Sequence, residues 1–354
     1  MNLAARPWIV AVILGLLALS PEAAHAGMTP DEVKAFEDDK AKAEGGDRVA
    51  QYNLGRRYAN GLGAGKDPVQ AASWYCKAAE QGLAMAQVSI GLMYQYGKGV
   101  PKDEAEAAKW HRKAAEQGLA SAQASIGLMY HHGQGVPKDD AESAKWHRKA
   151  AEQGYVASQF TLGGMYAIGE GVPKDDVESA KWYRKAAEQG YVIAQTILGA
   201  MYAYGEGVPK DDAEAVKWYR KAADRGDDIA QFSLGSMYAA GRGITKDAAE
   251  AVKWYLKAAD QGNPRAQNNL GAAYAKGEGV PKDDVEAYAW YNLAAVSDET
   301  ARKNREIIAR RLPPESQLLA QRRTKQIQQE IESREIERLK KEDQGRRVEM
   351  QKGA

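Results

Sequence analysis

The sequence predicts an all-α fold: a right-handed α-α superhelix, or solenoid, of seven 36-residue helix-turn-helix repeats with capping helices. Three observations predict it. Glycine recurs every 36 residues from Gly46 to Gly262, the seven units follow one another across residues 46–297 without insertion or deletion, and each unit contains two amphipathic helical stripes. One such helix pair cannot bury its apolar face alone, so neighbouring pairs must stack to form a continuous core.

The first 26 residues differ in character from the rest of the chain. Arg6 precedes the apolar run WIVAVILGLLAL (8–19), and the small-x-small sequence AHA (24–26) follows it. This order is typical of a cleaved signal peptide, and the run is shorter than the about 20 residues of a membrane-spanning helix. We therefore expect a periplasmic or secreted protein, cleaved after Ala26, with no integral membrane segment after cleavage. An anchored transmembrane helix is the alternative.

Residues 27–45 are predicted to form an N-terminal capping helix. Thr29 has the residue type of an N-cap, Pro30 stands at the first helical position, and Glu32 completes a capping-box spacing. A solenoid needs such a helix because its terminal repeat would otherwise expose an open core face.

The first half of each repeat predicts a helix with one buried face. Counted from the opening glycine as position zero, apolar or small residues at positions 4, 8, 11 and 12 form a helical stripe. Glycine at position 15 predicts a left-handed C-cap that ends the helix. We assign the methionines at position 11 to the core, because they share the buried face: Met93, Met129, Met165, Met201 and Met237.

The second half of each repeat predicts a second helix that starts at position 21. Aspartate stands there in six repeats with glutamate three residues later, as in Asp103 and Glu106, which is the spacing of a capping box. In the first repeat, Asp67-Pro68 marks the same start. The tryptophans at position 28 are predicted structural knobs in the core: Trp74, Trp110, Trp146, Trp182, Trp218, Trp254 and Trp290.

These units resemble the Sel-one-like repeat, a relative of the tetratricopeptide repeat with a longer inter-helix loop. The segment AQTILGAMYAYGEGVPKDDAEAVKWYRKAA (194–223) has the pattern A-x-Q-x-x-L-G-x-x-Y-x-x-G-x-G-V-x-K-D-x-x-E-A-x-K-W-Y-x-K-A-A. The resemblance implies a bacterial secreted or periplasmic scaffold or adaptor for protein-protein interaction. Relatives act in complex assembly, envelope signalling, exopolysaccharide export and host interaction, and the resemblance does not choose among these roles.

A second stripe on the first helix is the predicted partner-binding groove. If positions 4, 8, 11 and 12 face the core, positions 3, 6, 10 and 13 form another stripe, which the tetratricopeptide resemblance places on the concave side, and position 14 adjoins it. Tight winding, with these residues packed between units, is the alternative. The predicted groove residues are Met85, Val88, Leu92, Tyr96, Leu128, His132, Phe160, Ile168, Ile193, Tyr204, Ile229 and Phe232.

The C-terminal part of the chain is predicted to cap the last repeat. Residues 298–323 lose the glycine loop but retain helical apolar spacing, which predicts capping helices. Residues 324–354 are dense in Lys, Arg and Glu, which predicts a charged helical or disordered tail exposed to solvent, with a coiled-coil partner helix as the alternative. The apolar residues of the capping segment are Ile307, Ile308, Leu312, Leu318 and Leu319.

The recurring loop and the histidines give no prediction of a cofactor or metal. The G-x-G-V-P-K-D loop follows a helix, whereas phosphate-binding glycines follow a strand. His111 and His147 stand where other repeats have tyrosine, and we expect them on a helix surface, about 10 Å apart and too distant to share one ion. His131 and His132 are adjacent, so their side chains should diverge by about 100°.

The sequence also contains no catalytic motif, and we expect no enzyme. Some cysteine-rich relatives interact with β-lactams through paired cysteines, but Cys76 is the only cysteine, so a β-lactam-interacting member is a remote alternative. The net charge of +1 provides no field that attracts nucleic acid. A carbohydrate- or peptidoglycan-binding envelope module is the second hypothesis, with Tyr96 and Tyr204 stacking on sugar rings.

Overall fold

The computed structural model describes residues 29–352, and every regular element in this range is an α-helix. The predicted signal peptide lies outside the described residues. The chain divides into two compact units, with the boundary between Trp146 and His147. Among the described residues, none of the helices combines the length and the apolar character that a membrane crossing requires.

Unit 1 contains the N-terminal capping helix and the first repeats. Its helices are α1 (Pro30–Glu44), α2 (Arg48–Asn60), α3 (Pro68–Glu80), α4 (Ala84–Tyr96), α5 (Glu104–Glu116) and α6 (Ala120–His132), and the unit boundary falls inside α7 (Asp140–Glu152). Helix α1 begins at Pro30 as predicted, and Phe36 and Ala43 from α1 are buried in one cluster with Leu54 of α2. The side chain of Glu32 is outside the described part, so its capping role stays a prediction.

Unit 2 contains the later repeats and two C-terminal helices. Its helices after α7 are α8 (Val156–Ile168), α9 (Asp176–Glu188), α10 (Val192–Tyr204), α11 (Asp212–Ala223), α12 (Asp228–Ala240), α13 (Ala248–Ala259), α14 (Pro264–Lys276), α15 (Asp284–Ala294), α16 (Glu299–Arg311) and α17 (Pro314–Lys352). Within unit 2, consecutive helices from α8 to α16 pack pairwise, as do those from α1 to α6 in unit 1, so the fold is the predicted all-α solenoid of helix-turn-helix repeats. Helices α2 to α14 with even numbers are the first helices of the repeats, and α3 to α15 with odd numbers are the second helices.

Each first helix ends at a glycine in the left-handed conformation, as predicted. Gly205 has φ 77°, and its N–H donates to the carbonyl of Met201 at 2.8 Å. Two residues on, Gly207 has φ 68°, and a Cβ there would lie 1.8 Å from the carbonyl oxygen of Asp176 at the start of α9. Only glycine lets the loop approach the preceding repeat this closely.

Of the predicted capping box at the start of the second helices, the aspartate bonds form and the glutamate bond does not. The carboxylate of Asp175 accepts hydrogen bonds from the N–H groups of Val177 and Glu178, both at 3.0 Å. However, the N–H of Asp175 donates across the loop to the carbonyl of Tyr166, so it is not available to Glu178. The Glu178 carboxylate instead pairs with Lys181 at 2.6 Å. The loop and the helix start are therefore fixed by one aspartate that acts through both its side chain and its backbone.

The core joins small residues and one aliphatic residue of each first helix to aromatic rings of the second. In unit 2, Leu198 of α10 is fully buried beside Trp218 and Tyr219 of α11. The ring of Tyr219 lies 2.8 Å from where a Cβ on Gly199 would stand, so this glycine permits the close approach of the helices. The ammonium of Lys221 covers the Trp218 ring at 3.9 Å from its centroid. The position 11 methionines are all buried, which confirms their core assignment.

The tryptophans pack in the core, whereas two histidines differ from the prediction. Five of the position 28 tryptophans are buried, and Trp74 and Trp146 are half-buried against buried clusters of unit 1. His111 and His147 were expected on a helix surface, and this expectation is wrong because both are buried. His111 packs on Gly91, at the site that tyrosine rings fill in other repeats.

The C-terminal helices cap the last repeat more extensively than predicted. Ile308 and Leu312 are buried, whereas Ile307, Leu318 and Leu319 are exposed. Helix α17 packs on α15, and it buries Thr324, Ile327 and Ile331. Its Arg323 pairs with Glu286, and its Arg334 pairs with Asp260 at 2.9 Å. The charged tail is therefore helical and largely exposed, but one face of it is buried at Thr324, Ile327 and Ile331.

Candidate partner-binding surface

Charge is strongly segregated between the first and second helices of the middle repeats. Helices α4 and α6 in unit 1, and α8 and α10 in unit 2, contain no Asp, Glu, Lys or Arg. By contrast, α9 (DVESAKWYRKAAE) and α11 (DAEAVKWYRKAA) begin with acidic residues and contain several basic ones. The outer surface of the middle first helices is therefore uncharged.

In unit 1 this uncharged surface exposes large apolar side chains. Met85, Leu92 and Tyr96 are spaced i, i+7, i+11 on one face of α4. In α6, Leu128 and His132 occupy the positions equivalent to Leu92 and Tyr96. The four apolar members are between 39% and 63% exposed, and His132 is also exposed. We call these five residues the unit 1 apolar face. Lys98, in the loop after α4, places its ammonium 5.8 Å from the centroid of the Tyr96 ring.

In unit 2 the corresponding surface has large side chains only at the two ends of the helices. Ile193 and Ile229 lie near the starts of α10 and α12, and Ile168 and Tyr204 lie at the ends of α8 and α10. All four are between 50% and 71% exposed, and we call them the unit 2 apolar face.

Small residues separate the two ends of the unit 2 apolar face. The helix centres carry Gly164, Ala200 and Ser236. Positions 3 and 14 are about 16 Å apart along a helix, so this face has raised ends and a low centre. Unit 1 has Leu92 and Leu128 at the corresponding central position.

Three of the predicted groove residues pack inside the units instead. The ring of Phe160 lies 4.9 Å from that of Tyr191 and 5.6 Å from that of Tyr183. Phe232 lies 6.0 Å from Tyr255, and Val88 packs against the core of unit 1. All three are half-buried, which is the alternative that the sequence left open. The other nine predicted groove residues are exposed.

The adjacent histidines at the end of α6 do not diverge as predicted. The ring centroids of His131 and His132 are 4.6 Å apart, and Nδ1 of His131 lies 2.8 Å from a carboxylate oxygen of Asp140. The Asp140 contact turns His131 toward the start of α7, so the exposed His132 is the imidazole that lies beside Leu128 on the surface.

These features define a class of protein: an α-helical repeat solenoid with charged second helices and, in its middle repeats, uncharged first helices that expose apolar side chains. A comparison with protein families matches the Sel1 repeat at residues 48–83, 84–119, 120–155, 156–191, 192–227, 228–263 and 264–295. The chain therefore belongs to the Sel1 repeat family, whose repeats generally act as scaffolds for protein-protein interaction.

Two solved structures show the same fold at substantial identity. One is c5321, a protective antigen present in uropathogenic Escherichia coli strains, which is 32% identical over 89% of this chain and 91% of that chain, with a TM-score of 0.51. The other is a Sel1 repeat protein from Oxalobacter formigenes, 39% identical over 76% of this chain and 78% of that chain, with a TM-score of 0.60. A search of curated proteins found no match.

Proposed function

We propose that this protein is a non-enzymatic scaffold or adaptor that binds a segment of a partner protein on the outer faces of its first helices. The observation that carries the proposal is the exposure of large apolar side chains on helices that contain no charged residue. Exposed apolar patches of this kind are typical of interaction surfaces, because their burial on binding removes apolar area from water.

The absence of charge also restricts the chemistry of the partner segment. A charged side chain buried against α8 or α10 would lose its hydration and find no opposite charge on these helices. The contacting side of the partner should therefore be apolar and uncharged, with any charges at its rim. The unit 2 apolar face, with its low centre, suits a segment that inserts bulky side chains between the raised ends.

The location is part of the proposal. The apolar run at 8–19 and the AHA sequence at 24–26 support a periplasmic or secreted protein, in which the partner belongs to the bacterial envelope or lies outside the cell.

Surface variants test the proposal directly. We expect Ile193→Glu with Tyr204→Glu to abolish capture of the partner from native envelope extract, as identified by mass spectrometry, because a buried carboxylate would have no counter-charge. The equivalent pair in unit 1 is Met85→Glu with Leu92→Glu. All four residues are exposed, so circular dichroism should be unchanged.

Val177→Glu is the matched control. Val177 is also an exposed aliphatic residue, but it lies in the first turn of a charged second helix, where a carboxylate is favourable. This variant should capture the partner normally. Capture of the same partner by the wild type and by both face variants would contradict the proposal.

Binding of an envelope glycan is a second candidate, favoured by one observation. Tyr96 and Tyr204 are the two most exposed tyrosines of the first helices, so their rings are available to stack on sugars. Titration with soluble peptidoglycan fragments would detect this function. Binding that is lost in Tyr96→Ala with Tyr204→Ala supports the glycan module, whereas no binding by the wild type excludes it.

A further inference from the structure

His111 is buried at a site that tyrosine occupies in most other repeats. Its ring is 0% exposed and packs in α5 against α4, with Nε2 3.0 Å from where a Cβ on Gly91 would stand. The preceding repeat places Tyr75 on Gly55 in the same way, and unit 2 places Tyr219 on Gly199. The site is thus a fixed contact between the two helices of a repeat.

The His111 imidazole differs from a tyrosine that is hydrogen-bonded at this site. In the sixth repeat, the hydroxyl of Tyr255 donates to the hydroxyl of Ser236 at 3.3 Å. Neither Nδ1 nor Nε2 of His111 has a hydrogen-bond partner among the described residues. His147, at the same position of the next repeat, differs because its Nδ1 lies 3.1 Å from the hydroxyl of Ser158.

No neighbouring charge compensates a proton on the His111 ring. Helix α5 packs on α4 and α6, and neither contains an acidic residue, Lys or Arg. Their titratable groups are the phenols of Tyr94, Tyr96 and Tyr130 and the imidazoles of His131 and His132. The charged residues of α5 itself are at least partly exposed to water. Burial therefore lowers the pKa of His111 to about 4.

We propose that His111 makes the second repeat acid-labile: uptake of one proton by its ring opens the α4–α5 helix pair, while repeats with tyrosine at this site stay closed. An imidazolium would have two N–H donors and a charge with no partner, so it is stable only where water reaches it. Since α4 contributes Met85, Leu92 and Tyr96 to the unit 1 apolar face, acid would dismantle that face. This last consequence rests on the proposed function, whereas the opening does not.

The direction and size of the effect follow from proton linkage. His111 has a lower pKa folded than unfolded, so its neutral form is the one that favours the closed repeat, and stability falls as the pH drops below about 6.5. The opening equilibrium should rise by up to about tenfold per pH unit between these two pKa values, which is about 80-fold from pH 6.5 to pH 4 and about 300-fold at the low-pH limit.

Hydrogen exchange of the full chain between pH 6.5 and pH 4 tests the proposal, with rates corrected for intrinsic exchange. Compared with His111→Tyr, the wild type should lose about 80-fold more protection in α4 and α5. Tyrosine fits the site because Tyr75 and Tyr219 pack on the corresponding glycines of their repeats. Helices α10 and α11, which contain the Tyr219 site, should behave identically in both proteins. Equal losses in α4 and α5 of both proteins would overturn the proposal.

A titration of the wild type removes any dependence on the folding of the variant. The ring proton resonances of His111, followed by NMR, should titrate far below the ordinary imidazole pKa of about 6.5. A pKa of His111 at or above 6.5 would overturn the proposal. The converse change, Tyr219→His, should make α10 and α11 acid-labile, and unchanged exchange there would show that a buried, unpaired imidazole is not sufficient.

Discussion

The first and second helices of one repeat bury similar cores but present opposite surfaces to water. Helix α10 buries Leu198 and Met201, and α11 buries Trp218 and Tyr219, in the same cluster. On the outside, α10 has no charged residue, whereas α11 has acidic residues in its first turn and basic residues in its last, the order that the helix dipole favours.

The difference extends to the helix starts. Each described second helix with an assigned N-cap has an aspartate that accepts backbone N–H bonds. Helices α4, α6, α8 and α10 start after Leu or Tyr, and none of these residues forms a side-chain cap within the described chain. These four first helices therefore depend on packing against the second helices, and their outer surface remains available for a partner.

The largest expected effect comes from disrupting the contact between an inter-helix loop and the second helix of the preceding repeat. In Gly207→Ala, the new methyl group would overlap the carbonyl of Asp176 and occupy a left-handed backbone, so loop and helix must separate. We expect a loss of more than about 4 kcal/mol in the free energy of unfolding, measured with urea. Gly226→Ala is the control: its φ is 92°, but nothing lies within 4 Å, so about 1 kcal/mol should be lost. Equal losses of unfolding free energy in the two variants would contradict a close contact between the Gly207 loop and the start of α9.

Truncating core side chains tests whether the first and the second helices both contribute to stability. Trp218→Ala should lose about 4 kcal/mol and Leu198→Ala about 3 kcal/mol in the free energy of unfolding, because each removes a buried side chain and leaves a cavity. Urea titrations followed by circular dichroism measure both. Ser233→Ala, a half-buried change in α12, is the control and should lose less than about 1 kcal/mol. A negligible loss in Leu198→Ala would mean that the first helices add little to the core.

The sequence alone predicted the features that depend on local chemistry and on the 36-residue period. The glycine that ends each first helix, the aspartate that starts each second helix, and the buried Met column all follow from such signals. The sequence could not place Phe160 or Phe232, because rings of other helices decide their burial. The capping-box glutamate was mispredicted for a similar reason: a distant carbonyl takes the N–H that it needs.

The burial of His111 could have been predicted from the sequence. Because tyrosine is amphipathic, its recurrence at position 29 suggested a surface, and histidine was placed there with it. However, glycine recurs at position 9 of every repeat, and the structure places His111 on Gly91 as it places Tyr219 on Gly199. An invariant glycine in the middle of a helix, paired with an aromatic residue in the next helix, could have predicted burial.

The smallest expected effect concerns a hydrogen-bond ladder at the ends of the second helices. Gln189 donates to the side-chain oxygen of Gln159 at 2.8 Å and to the carbonyl of Gly154 at 3.1 Å. Gln261 repeats this pair of bonds on Gln231 and Gly226.

In the repeat between these two, Arg225 replaces the ladder glutamine. It donates to the carbonyl of Gly190, and the side-chain oxygen of Gln195 is buried without a hydrogen-bond partner in the described part of the chain. Arg225→Gln should supply the missing donor and raise the free energy of unfolding by about 1 kcal/mol, measured by urea titration. Gln261→Arg is the mirror-image control and should lose a similar amount by stranding the oxygen of Gln231. If Arg225→Gln is neutral or destabilising, the ladder does not contribute to stability, and the stability of the second-helix layer must come from its caps and ring packing.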